Sequence, residues 1–127
     1  GIKFYERAEI KDAVSYLRII NQKFGDLALE RVIGVPKRGV GESTLNQIYT
    51  FCKSNKLCLE ESIMKLIEKG DFKPKIKSSL DQLIKMIQKW RNDSLKMKHF
   101  DLLRLVLDES GYSSMLKNKK DLENENR

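Results

Sequence analysis

The strongest constraint on this chain is its hydrophobic period. From Glu6 to Leu116 apolar residues recur at three- and four-residue spacing, and no segment shows a convincing period-two alternation. Between Glu6 and Asn21, the set Ile10, Ala13, Val14, Leu17 and Ile20 falls on one helical face, opposite Glu9, Lys11, Asp12, Ser15 and Arg18. Asn21 to Gly25 reads as a turn, and Asp26 is placed to cap the helix that follows. There Leu27, Leu29, Val32 and Ile33 lead to Gly34 and Pro36, which stop it. Leu45, Ile48, Phe51 and Cys52 mark one face of a helix ending near Asn55. Leu59 to Lys69 forms another, with Ile63, Leu66 and Ile67 inward and Gly70 closing it.

The longest predicted helix runs from about Lys73 to Asp93, with Pro74 in its first turn. Ile76, Leu80, Leu83, Ile84, Ile87 and Trp90 face inward. Phe100, Leu103, Val106 and Leu107 define a helix broken by Ser110-Gly111. Tyr112, Met115 and Leu116 begin a short last helix before the polar tail Lys117 to Arg127. The 127 residues make one domain's worth of chain without internal repeats. The expected fold is all-α, a compact orthogonal bundle of about seven helices.

Charge narrows the partners. Charged residues make up 34% and the formal net charge is +7, which favours polyanions such as nucleic acid, or acidic membrane surfaces. Lys75, Lys77, Lys85 and Lys89 stand along the outer side of the long helix and read as a solvated face, and Trp90 as a core-edge anchor. Cys52 and Cys58, with His99 far away, make no zinc set, and Cys52 reads as a buried reduced thiol. No nucleophile or carboxylate is positioned to make His99 a general base. No signal peptide and no run of about 20 apolar residues is present, so a soluble, cytosolic protein is expected.

One stretch departs from plain helical patterning: Val35-Pro36-Lys37-Arg38-Gly39-Val40-Gly41-Glu42-Ser43-Thr44-Leu45. It reads as a glycine hairpin between two helices. Gly39 and Gly41 can take positive φ, and without side chains the peptide N–H groups of Gly39, Val40 and Gly41 can approach a ligand closely. The helix starting near Glu42 or Ser43 adds unpaired N–H groups and its positive dipole end. With Lys37 and Arg38 before it and the hydroxyls of Ser43 and Thr44 after it, the stretch suits a backbone phosphate. An ordinary interhelical turn is the plainer alternative. A nucleotide-hydrolysing loop is not, since no Gly-Lys-Ser/Thr follows a strand.

These residues also carry a resemblance. Phe4-Tyr5-Glu6-Arg7-Ala8-Glu9-Ile10-Lys11-Asp12 with Tyr16-Leu17-Arg18 resembles the aromatic-Glu-Arg-x-Glu-Ile-Lys-Asp and Tyr-Leu-Arg run of UvrD/Rep/PcrA-type superfamily I DNA helicases. Leu29 to Ile33, then Val35 to Gly41, is similar to that family's Pro-x-Arg-Gly-Ile-Gly segment, and Ser110-Gly111-Tyr112 with Met115-Leu116 to a later landmark. Gly34 and the turn Asn21-Gln22-Lys23-Phe24-Gly25-Asp26 depart from the usual pattern. The start at Gly1 without methionine, and the tail ending at Arg127, suit a piece of a longer helicase.

The resemblance implies the 2B accessory subdomain of an ATP-dependent 3′-5′ helicase of DNA repair or replication. Residues 1–21 would be the hinge segment and entering helix from the 2A motor lobe, and residues 22–127 the C-terminally truncated 2B subdomain. It implies a helix-hairpin-helix-like element that grips duplex DNA by its backbone, without sequence preference, and regulates unwinding. Lys37, Arg38, Gly39, Val40, Gly41, Ser43 and Thr44 would be the DNA-binding residues. Partners would be the duplex, the helicase's own motor subdomains and repair proteins, in the bacterial cytoplasm and without a membrane. This stretch would bind no cofactor or metal and hold no catalytic residue; ATP and magnesium belong to the parent's motor domains. A protein-interaction or autoinhibitory helical module without direct DNA contact is the alternative. A sequence-reading helix-turn-helix fits less well, because glycines offer backbone rather than side chains that reach bases.

Overall fold

A computed structural model describes residues 2–21 and 25–126. Among them run seven helices and no strand: α1 (Arg7–Asn21), α2 (Asp26–Ile33), α3 (Glu42–Asn55), α4 (Leu59–Lys69), α5 (Pro74–Asp93), α6 (His99–Glu109) and α7 (Tyr112–Glu125). The all-α bundle expected from the hydrophobic period is therefore observed. The turn expected over Asn21 to Gly25 falls on residues 22–24, outside the described residues.

Helix α5 is the post around which the others stand. Its Leu80, Leu83, Ile84, Ile87 and Trp90 are all buried, and α1, α4 and α6 pack on it. Helix α2 closes against α1 and α4, α3 against α4, and α7 against α6. Each large side chain so buried contributes about 1.5–3 kcal/mol relative to exposure. Pro74 sits in the first turn of α5, where its missing N–H breaks no helical bond. Gly70, left-handed at φ 74, ends α4. Trp90 is fully buried, as a core side chain and not a platform.

Helix α1 corrects the sequence reading. Its buried stripe is Glu9, Asp12, Ala13, Tyr16, Ile19 and Ile20, whereas Ile10 is 50% exposed and Val14 is also exposed. The helix is rotated to bring two acids inside, because both find specific partners there. Glu9 Oε1 accepts the Tyr5 N–H at 2.9 Å. Asp12 accepts from Arg31 Nε at 2.6 Å and from the Tyr112 hydroxyl at 2.7 Å. Asp12, with a charged and a neutral donor, loses little by leaving water.

Three further readings are corrected. Asp26 does not cap its own helix; its Oδ1 accepts the Leu59 N–H at 3.2 Å and so caps α4. Leu27 and Phe100 point to solvent, and Leu102 takes the core position on α6. The polar tail continues as helix α7 to Glu125, helped by good helix formers and a Lys120–Glu123 pair.

Arg91 ties three helices together. Its Nε and Nη2 donate to the Ile19 carbonyl near the end of α1, at 3.2 and 2.8 Å. Nη1 and Nη2 grip both carboxylate oxygens of Glu60 in the first turn of α4, at 2.7 and 2.6 Å.

Candidate nucleic-acid interface

Helix α2 ends at Ile33, and the chain doubles back through residues 34–41 before α3 begins at Glu42. Gly34 donates to the Arg31 carbonyl at 3.1 Å and Val35 to the Val32 carbonyl at 3.3 Å, so the first bend continues the last helical turn. The Val35–Pro36 peptide is cis, and Gly39 has φ +78, a region costly for any side chain. Gly41 was expected to need the same freedom. It is instead extended, with φ −95 and ψ −175, and it opens α3 by accepting the Leu45 N–H at 3.1 Å. Both glycines face open space: a Cβ at Gly39 or Gly41 would meet nothing within 4 Å.

The hairpin is fastened from beneath. The Tyr16 hydroxyl donates to the Val35 carbonyl. Arg38 Nη2 donates to that hydroxyl at 2.7 Å and Arg38 Nε to the Val32 carbonyl at 3.1 Å. Ser79 Oγ on α5 donates to the Arg38 carbonyl at 2.7 Å. Pro36 lies against the α6–α7 turn, where a Cβ on Gly111 would be 3.6 Å from its Cγ. Tyr16 meets Trp90 and Tyr112 edge-on at 6.0 and 6.1 Å. Burial pushes its phenol pKa up against the lowering pull of the Arg38 charge, so Tyr16 remains a neutral donor.

This geometry sorts the seven residues singled out from the sequence. Lys37, Gly39, Gly41 and Ser43 lie exposed on the outer side. Val40 is half-buried against the core and Thr44 is buried, so that hydroxyl is not presented to solvent. Arg38 is half-buried: two of its three guanidinium nitrogens are engaged inward, because Tyr16 and the α2 carbonyl end supply acceptors that local spacing does not reveal. Glu42, exposed in the first turn of α3, sets a negative charge beside the glycines.

The lysine row of α5 also divides. Lys85 pairs with Asp81 at 2.9 Å, and Lys89 with Asp93 and Glu109 at 2.7 and 2.9 Å. Lys75 is exposed and lies one turn before Ser79, whose hydroxyl donates to the Arg38 carbonyl. Tyr16 and Ser79 were missed in the sequence because each acts across 19 or more residues of chain, while Lys75 was read there only as part of a solvated face.

Other sequence candidates stand apart. His99 is exposed at the start of α6, and Cys52 and Cys58 are half-buried thiols. Among the described residues no three His, Cys, Asp or Glu side chains gather as metal ligands, and no helix is long and apolar enough to cross a membrane.

The chain is similar to known proteins along its whole length. The family model of the UvrD-like helicase C-terminal domain matches residues 1–126. A DNA helicase II of Rickettsia typhi is 38% identical over 120 residues, which cover 94% of this chain and 18% of that protein. The ATP-dependent DNA helicase PcrA of Bacillus subtilis is 35% identical over 130 residues, covering 100% of this chain and 17% of the relative. PcrA of Staphylococcus aureus is 34% identical over the same length. The chain thus spans less than a fifth of the length of the curated relatives it matches.

Proposed function

The chain belongs to the UvrD-like helicase C-terminal domain family, and from that premise we propose that it is the 2B accessory subdomain of an ATP-dependent 3′-5′ DNA helicase, gripping duplex DNA by its phosphates. The relatives are DNA helicases, two of them named ATP-dependent; ATP and magnesium would serve the motor domains of the parent. The observation that carries the reading is the hairpin: fastened from below by Tyr16, Arg38 and Ser79, open above at Gly39 and Gly41, with Lys37 exposed on it and Lys75 exposed one turn before Ser79. Residues 1–21 would be the hinge segment and entering helix, and residues 22–127 the body. Because Tyr16, Ile19 and Ile20 share the common core, a swivel at this end would carry α1 with the body. The same reading makes the hairpin a helix-hairpin-helix element, non-catalytic in itself, in a bacterial cytoplasmic protein.

Salt-dependent duplex titration of this chain tests it. Lys37→Ala with Lys75→Ala should flatten the slope of log affinity against log salt by about 1.8, at roughly 0.9 per lost phosphate contact. Gly41→Val, which removes no charge, should weaken binding with the slope kept. Unchanged affinity and slope in both variants would leave the hairpin as only a turn.

A second reading, a protein-interaction or autoinhibitory module, is favoured by one observation. Ile10, Val14 and Leu27 are exposed along the groove between α1 and α2, and Leu27 is 84% exposed. Leu27→Ser should then change folding stability by no more than about 0.5 kcal/mol. In the full helicase it should raise unwinding if the groove holds the subdomain in a restrained position. Unwinding equal to that of the parent would count against that role.

A further inference from the structure

A cavity of about 500 Å³ lies away from the hairpin, between the N-terminal segment, α6 and α7. Lys3, Arg104 and Lys117 line it, together with Glu9 and Tyr5. The aromatic ring in its lining, Tyr5, is 62% exposed with Lys120 Nζ 4.0 Å from the ring centroid. Glu9 is only 3% exposed; its Oε1 accepts the Tyr5 N–H, but its Oε2 is buried with no hydrogen-bond partner. An ionised carboxylate only accepts, so this oxygen calls for a donor from a ligand.

We propose that this cavity is a second nucleic-acid site, which takes an unpaired nucleotide of single-stranded DNA. The proposal rests on the reading of the protein as a DNA-binding module and adds to it a separate site with a different strand form. Cations on the rim suit phosphates, and the exposed Tyr5 ring suits an unstacked base. The orphaned Glu9 oxygen suits the exocyclic amine of cytosine, adenine or guanine. Thymine has no such amine; its one base donor, the N3–H, lies between two carbonyls that the carboxylate repels. A duplex offers phosphates to the rim cations, but its bases are stacked and paired, so it has no free base face for Tyr5. The hairpin meets the opposite need, since it exposes backbone and cations but no aromatic ring.

The test compares fluorescent single strands of mixed sequence, oligo(dC) and oligo(dT) with a duplex, using this chain and variants whose circular dichroism and melting match the parent. Tyr5→Ala with Lys117→Ala should weaken single-strand binding by roughly tenfold, from a lost stacking partner and a lost phosphate contact, and leave duplex binding unchanged. Lys37→Ala should do the reverse. Oligo(dC) should bind more tightly than oligo(dT), and Glu9→Gln, which keeps an acceptor for the Tyr5 N–H, should narrow that preference. Single-strand binding that is absent, that is untouched by Tyr5→Ala with Lys117→Ala, or that falls together with duplex binding in Lys37→Ala, would overturn the proposal. Loss of duplex binding alone in Lys37→Ala would leave the hairpin reading standing in every case.

Discussion

Arg91→Ala is expected to destabilise the domain by about 3–5 kcal/mol, the usual consequence of removing one partner of a buried ion pair. Glu60, now only 4% exposed, would have both oxygens stripped of the Arg91 donors, and the Ile19 carbonyl would lose two. The cost spreads because the guanidinium joins α1, α4 and α5, and α5 is the helix on which α1, α4 and α6 pack. For a domain of this size that is a fall in melting temperature of roughly 10–20 °C. Arg91→Lys should recover little, since an ammonium is a point charge and cannot match the bidentate carboxylate and the carbonyl together. Thermal and urea unfolding followed by circular dichroism measure it. A midpoint within about 2 °C of the parent would show that the pair contributes nothing net.

Interactions of this kind separate what the sequence discloses from what it hides. Helix boundaries were legible because caps and stops are local: Pro74 opens α5, Gly70 closes α4, and the glycine hairpin divides α2 from α3. The faces of α5 were legible for the same reason, since a long apolar stripe leaves one way to bury it. The face of α1 was not. Its acids enter the core because Arg31 and Tyr112 meet Asp12 there, 19 and 100 residues away, and no local spacing signals those partners. The hairpin's glycines marked the interhelical turn, but the burial of its two cations could not be ranked from sequence. Adjacent in the chain, Lys37 and Arg38 face opposite ways because the Tyr16 hydroxyl and the Val32 carbonyl lie beneath only one of them.

That difference gives the second large effect. Arg38→Ala is expected to cost about 2–3 kcal/mol of stability, because it removes charged-donor hydrogen bonds to the Tyr16 hydroxyl and the Val32 carbonyl. Duplex affinity should fall by roughly tenfold or more as the hairpin loses the grip that fixes its backbone N–H groups, since misplaced donors lose most of a phosphate contact. The salt slope is the discriminating quantity. A residue that touches phosphate releases counterions, about 0.9 per contact, whereas one that only holds the hairpin leaves the slope where it was. Lys37→Ala should therefore flatten the slope with stability intact, and Arg38→Ala should lower stability with the slope nearly unchanged. Arg38→Lys should behave like Arg38→Ala, because one ammonium cannot span both acceptors. If Arg38→Ala instead melts with the parent and flattens the slope by about 0.9, its guanidinium turns outward when DNA binds. The sequence's first assignment of Arg38 to phosphate would then stand, and the inward bonds would describe only the free protein.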